Sequence, residues 1–96
     1  MVLLLHPIIL LKQRYNMKTS EIKKGMRIRL DNGWFGTMMD NMRGTTRMVE
    51  VEGYYTEIGS VYSYDIVEVQ KDTVWETVVH TEKELKVKAL NKAIFG

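Results

Sequence analysis

Between Ser20 and Val69 the chain never runs far without a turn signal. Apolar and polar residues alternate in short bursts, divided by Asp31-Asn32-Gly33, by Arg43-Gly44 and by Gly53. Bursts this short, with period-2 alternation and turns at regular spacing, predict several short strands rather than helices or βαβ units. Met26 to Leu30 is the clearest case: Met26, Ile28 and Leu30 fall on one face, and Arg27 and Arg29 on the other. Asp31-Asn32-Gly33 predicts a hairpin, with Asn-Gly suited to a type I′ turn. Trp34 to Asp40 is the returning strand, with Gly36 marking a bulge or sharp bend. Thr46 to Glu52 alternates again, placing Val49 and Val51 toward a core. Gly59 predicts a further turn, followed by a short strand at Val61 to Tyr64. A one-turn helix or kink is expected at Tyr64-Asp65-Ile66, and Val67 and Val69 continue as a strand.

The C-terminal part has a different grammar. Asp72 to His80, with Val74, Trp75, Val78 and Val79, has the composition of one more strand. Thr81-Glu82-Lys83-Glu84 then matches a capping box, in which the Thr81 hydroxyl and the Glu84 carboxylate each satisfy the other residue's free amide. A helix from Glu82 to Ile94 is predicted. Its apolar stripe of Leu85, Ala89 and Ala93, flanked by Leu90 and Ile94, is expected to pack across one opening or face of the sheet. The organisation read from these signals is an N-terminal extension over residues 1–16, a core over 17–70, and a final strand and helix over 71–96.

A chain of 96 residues supports one domain. It has no cysteine, which excludes a disulfide framework, a thiolate zinc site and a cysteine nucleophile. The opening run MVLLLHPIILL is well short of the roughly 20 residues that span a bilayer. Its basic residues follow the apolar stretch, the reverse of a signal peptide. It reads as an extra strand or anchor, as a sticky segment for self-association or membrane contact, or, the reading favoured here, as sequence upstream of a natural start at Met17-Lys-Thr-Ser.

Charge is nearly balanced at +2 but unevenly spread. Lys12 to Arg47 is rich in lysine and arginine, whereas Glu50 to Glu84 is rich in carboxylates. No Gly-x-Ser-x-Gly elbow, P-loop or metal-ligand spacing occurs, and His6 and His80 stand apart. The pattern favours a binding module over an enzyme and calls for no metal or cofactor. Two surfaces are candidates, a basic strand face for nucleic acid as the leading reading and an acidic surface for a protein as the alternative. Arg27, Arg29, Arg43 and Arg47, with Trp34 or Phe35 beside them, would suit DNA or RNA through phosphate contact and base stacking. Glu50, Glu52, Tyr54, Tyr55, Glu57, Tyr62 and Tyr64 would suit a host protein, as an acidic, tyrosine-rich docking surface. Exposed strand edges and the apolar N-terminus also allow an assembly role.

The segments IKKGMRIRLDNGWFGTMMDN, RGTTRMVEVEG and GSVYSYDIVEV together resemble the SH3-like barrels of KOW-type domains. Those barrels open with a lysine- and glycine-containing turn and a strand, continue through tight hairpins, and close with a short turn before the last strand. The chain is also similar to small uncharacterised proteins encoded by tailed bacteriophages. The resemblance covers Thr19 to Val69. It implies a mainly β fold, a small SH3-like barrel with a C-terminal α-helix. It further implies a phage or prophage origin, action in the bacterial cytoplasm, and binding of nucleic acid, ribosomal components or proteins rather than catalysis. No individual residue role follows from it.

Overall fold

The computed structural model describes residues 16–41 and 44–96. The chain is mainly β, with one C-terminal helix. Its strands are β1 (Asn16–Lys18), β2 (Arg27–Leu30), β3 (Phe35–Asp40), β4 (Thr46–Glu52), β5 (Thr56–Tyr62), β6 (Ile66–Lys71) and β7 (Val74–Val79). Single 3-10 turns occupy Thr19–Glu21 and Ser63–Asp65, and helix α1 spans Glu82–Phe95. All seven strands form one sheet in the order β1-β7-β6-β2-β3-β4-β5. Strands β2 to β5 are an antiparallel meander. The 3-10 turn at Ser63–Asp65 then redirects the chain, so that β6 returns beside β2. β7 folds back on β6, and β1 adds to β7 in parallel. Among the described residues, no helix is long and apolar enough to cross a membrane.

Alternation in β2 behaves as its residues require. Ile28 and Leu30 are buried, whereas Arg27 and Arg29 are half-buried on the opposite face. Ile28 meets Met38, Val49, Ile66, Val69 and Val78 in one core, with Met26 and Val51 packed against it. The inward faces of β2, β3, β4, β6 and β7 therefore contribute to one apolar core.

Several local expectations change in the folded chain. The β2–β3 hairpin has Gly33 at φ 90° but no positive φ at Asn32, so it is not type I′. The Gly33 amide donates to the Leu30 carbonyl at 2.9 Å and the Leu30 amide to the Trp34 carbonyl at 2.7 Å. This is a type I turn closed by a glycine bulge, which also matches strand twist. Gly36 is not the site of a bulge. Its register with Val51 is unbroken, and the irregularity falls between Met38 and Asp40. Glycine is needed at 36 for closeness: a Cβ there would lie 2.7 Å from Cγ1 of Val49 and 2.9 Å from the Glu50 carbonyl oxygen.

Gly59 does not turn the chain but sits within β5, opposite Val49. The turn falls instead at Gly53-Tyr54-Tyr55, where the Gly53 amide donates to the Tyr55 carbonyl. In β6 a register shift opposite Arg29 and Leu30 lets both Ile66 and Val69 face inward. Strict alternation through Val67 would not have done so.

Helix α1 starts as its capping box dictates. The Glu84 amide donates to Thr81 Oγ1 at 3.1 Å, and the Thr81 amide to Glu84 Oε1 at 2.9 Å. The expected packing stripe is wrong, however. No α1 residue is buried, and Leu85, Leu90 and Ile94 are largely exposed. Glu84, Val87, Lys88 and Asn91 form the half-buried face instead. The cap explains this rotation. The second oxygen of Glu84 accepts from Thr19 Oγ1 at 3.2 Å, and Asn91 donates to the Tyr64 hydroxyl at 2.8 Å. These polar bonds turn Leu85 away from the sheet.

Candidate functional site

Among the described residues, the cations predicted for phosphate contact are each engaged by other groups of the chain. Arg29 lies directly opposite Glu68 across the β2–β6 pair, and its Nε donates to that carboxylate. Arg27 reaches past β3 to Glu52 on β4, with both terminal nitrogens donating to the two carboxylate oxygens. The Arg27 guanidinium passes 6.0 Å from the centre of the Phe35 ring on the way. The hydrogen bond from Arg27 is the main reason the Glu52 carboxyl is held below its ordinary range, and the same bond raises Arg27. Both arginines are thus matched by acids of the carboxylate-rich stretch Glu50 to Glu84, and the sequence pattern assigns Glu52 to the other candidate surface.

Arg47 has another fate. It shares the inward parity of Val49 and is only 7% exposed. Its Nε donates to Asn41 Oδ1, and its Nη1 to the carbonyls of Gly44 at 2.9 Å and Thr46 at 2.8 Å. Burial pulls this guanidinium below its usual value, partly opposed by the charge of Glu84. Arg47 therefore ties the β3–β4 connection together and does not offer a surface cation. The clue was available in its parity with Val49 and Val51. Arg43 lies outside the described residues.

Trp34, Phe35, Tyr54, Tyr55 and Tyr62 are exposed, whereas Tyr64, expected on a docking surface, is buried. Phe35 and Trp75 pack against each other on the outer face, with ring centres 5.6 Å apart. Trp75 was not among the candidates; its place opposite Gln70 on β7 brings it there. Glu50 lies on the same face, between Thr37 and Ile58. The outer face of β7, β6, β2, β3 and β4 thus presents paired arginines and carboxylates around an aromatic couple.

The predicted tyrosine cluster separates into two places. Tyr54 and Tyr55 project from the β4–β5 turn, where Tyr54 meets Trp34 edge-on at 5.8 Å. Glu57 lines the same hollow. Tyr62 and Tyr64 stack 5.0 Å apart at 6° at the other end of β5. They border an open groove of about 460 Å³ with Asp31, Asp65, Lys88 and Lys92. Burial chiefly pushes the Asp65 carboxyl up, and the charge of Asp31 adds to this, against the hydrogen bond from the Tyr62 amide. The His80 ring lies 2.8 Å from the Ile66 carbonyl and is committed to that contact.

Comparison of the chain with protein-family models, with curated proteins and with solved structures finds no match.

Proposed function

We propose that the chain is a non-enzymatic binding module whose outer sheet face docks a protein. The observation that carries this reading is the pairing of both outer-face arginines, Arg27 to Glu52 and Arg29 to Glu68. Charges satisfied within the face leave little net field to attract a polyanion. The aromatic rings and arginines of this face instead match the residues that protein interfaces favour. In this reading the chain is an SH3-like module of KOW type, of phage or prophage origin, acting in the bacterial cytoplasm. The succession of hairpins followed by a 3-10 turn and a strand returning beside β2 supports the SH3-like part of the proposal.

Nucleic-acid binding is the second reading. It is favoured by the exposure of Trp34 and Phe35, at 40% and 41%, with Arg27 above the Phe35 ring. It requires Arg27 and Arg29 to exchange carboxylates for phosphates. A direct test places a photo-crosslinker at Thr37 on the outer face, with a second chain labelled at Lys86 on the helix. The protein reading expects one partner captured at Thr37 alone and lost in Phe35→Ala and Trp75→Ala. Fluorescence anisotropy with random single-stranded DNA and RNA at low salt runs in parallel. Tight, salt-sensitive binding abolished by Arg27→Ala and Arg29→Ala, with no protein captured, would replace the first reading by the second.

A further inference from the structure

We infer that the hollow at the β4–β5 turn is a binding site for an alkylated ammonium group. The hollow holds about 170 Å³ and is lined by Trp34, Val51, Gly53, Tyr54, Tyr55 and Glu57. It is smaller than the roughly 300–1,000 Å³ of ordinary small-molecule pockets, so it fits one headgroup and not a whole cofactor.

The Trp34 and Tyr54 rings stand at 81° with centres 5.8 Å apart, which makes two walls of a corner. Aromatic faces carry negative potential, and an indole is the strongest of them toward a cation. Trp34 is held in place by contact with the backbone at Gly53. Val51 adds an apolar surface. Glu57 supplies a full negative charge and, among the described residues, takes part in no ion pair.

Tyr54 and Tyr55 are 93% and 78% exposed, so packing within the described chain does not account for them. Turns at such positions ordinarily use glycine, asparagine, aspartate or serine, which need no apolar contact. Large rings held in water beside an unpaired carboxylate are suited to covering a cation.

The degree of alkylation follows from hydration. A primary ammonium donates three hydrogen bonds to water, and the hollow offers only the Glu57 carboxylate as a charged acceptor. Ring faces cannot replace the hydrogen bonds to water that a primary ammonium gives up where it touches them. Methyl groups in place of the N–H bonds keep the charge and remove that loss. The chemistry is shared by a methylated lysine on a docking partner and by free choline-like compounds. The site is separate from the outer face and does not depend on the docking role proposed for it.

The test is an NMR titration of the full ¹⁵N-labelled chain, following the Trp34 indole N–H, with Trp75→Phe used to assign that signal. The probes are choline chloride and its neutral isostere 3,3-dimethylbutan-1-ol, at matched ionic strength. The expected result is a saturable Trp34 shift with choline and affinity at least about fivefold lower for the isostere. Tyr54→Ala should abolish the response. Glu57→Gln, which leaves the turn intact, should weaken choline and leave the isostere unchanged. A trimethyllysine peptide that binds more tightly than choline assigns the site to a protein ligand, and the reverse order assigns it to a free metabolite. Equal binding of choline and its isostere, no response to either, or tighter binding of arginine methyl ester would each overturn the proposal.

Discussion

Gly53 and Trp34 touch so closely that no side chain fits between them: a Cβ on Gly53 would lie 2.4 Å from Cζ3 of the indole. The contact joins the start of β3 to the turn after β4. Gly53→Ala should therefore displace Trp34 and cost about 1–3 kcal/mol, as overpacking does. Gly59 is the natural control, since a Cβ there meets nothing within 4 Å. Its backbone is not in the left-handed region either. Gly59→Ala should stabilise by about 0.4–1 kcal/mol through the unfolded chain. Urea unfolding followed by tryptophan fluorescence compares the two, and equal midpoints would refute the indole contact.

Arg47 is expected to behave as a structural residue. Arg47→Met leaves the Asn41 side chain and the Gly44 and Thr46 carbonyls without their buried donor. A loss of about 1–3 kcal/mol is expected for each acceptor left dry, less where water enters. Thermal unfolding reads the loss. A variant as stable as the parent would return Arg47 to the list of surface cations.

The paired arginines predict a gain of function. Neutralising their partners with Glu52→Gln and Glu68→Gln should raise affinity for single-stranded polyanions above that of the parent. The slope of log affinity against log salt should steepen by about 0.7 per released arginine. Anisotropy over a salt series measures it. An unchanged slope would mean that the carboxylates do not mask the guanidinium groups.

Acid should loosen the helix cap. Burial alone would raise the Glu84 carboxyl, but bonds from the Thr81 amide and the Ser63 and Thr19 hydroxyls, with the charge of His80, hold it below its ordinary range. A depressed folded value means stability that is present above the unfolded value and lost as pH falls through the folded one. Glu84→Gln should lower stability at neutral pH and flatten the acid limb. Thr81→Ala should cost about 1 kcal/mol. Stability curves from pH 7 to pH 3 compare the variants, and parallel acid limbs for Glu84→Gln and the parent would contradict the account.

Glu76 points the other way energetically. It is 3% exposed, and its Oε2 has no hydrogen-bond partner among the described residues. Glu76→Met fills similar space without a polar atom and should stabilise by about 1–3 kcal/mol. A denaturation midpoint below that of the parent would show that the carboxylate is satisfied in solution.

Much of the backbone was legible because its rules are local. The alternation of Met26 to Leu30 needs only the pleat, and the Thr81–Glu84 box needs only one helical turn. The places where reading failed share a cause. Gly59 resembles a turn glycine in isolation, yet β5 pairs with β4 along its whole length and carries the glycine with it. Leu85 lies on an apolar stripe, but the bonds of Glu84 and Asn91 to other elements rotate that stripe outward.

The candidate surfaces divided along the same line. Exposed aromatic residues and arginines could be named from the sequence. Their company could not, because Arg27 and Glu52 are 25 positions apart and Arg29 and Glu68 are 39. The amino-acid order by itself determined a mainly β chain, its hairpin after Leu30, its capped helix, and which face of β2 carries charge. Only the tertiary structure decided that Arg27 and Arg29 are paired with carboxylates, that Arg47 is interior, and that Trp34 and Tyr54 frame a hollow. Backbone preferences act over a few residues, whereas strand register is set by the whole core packing at once, and register chooses each side chain's neighbours.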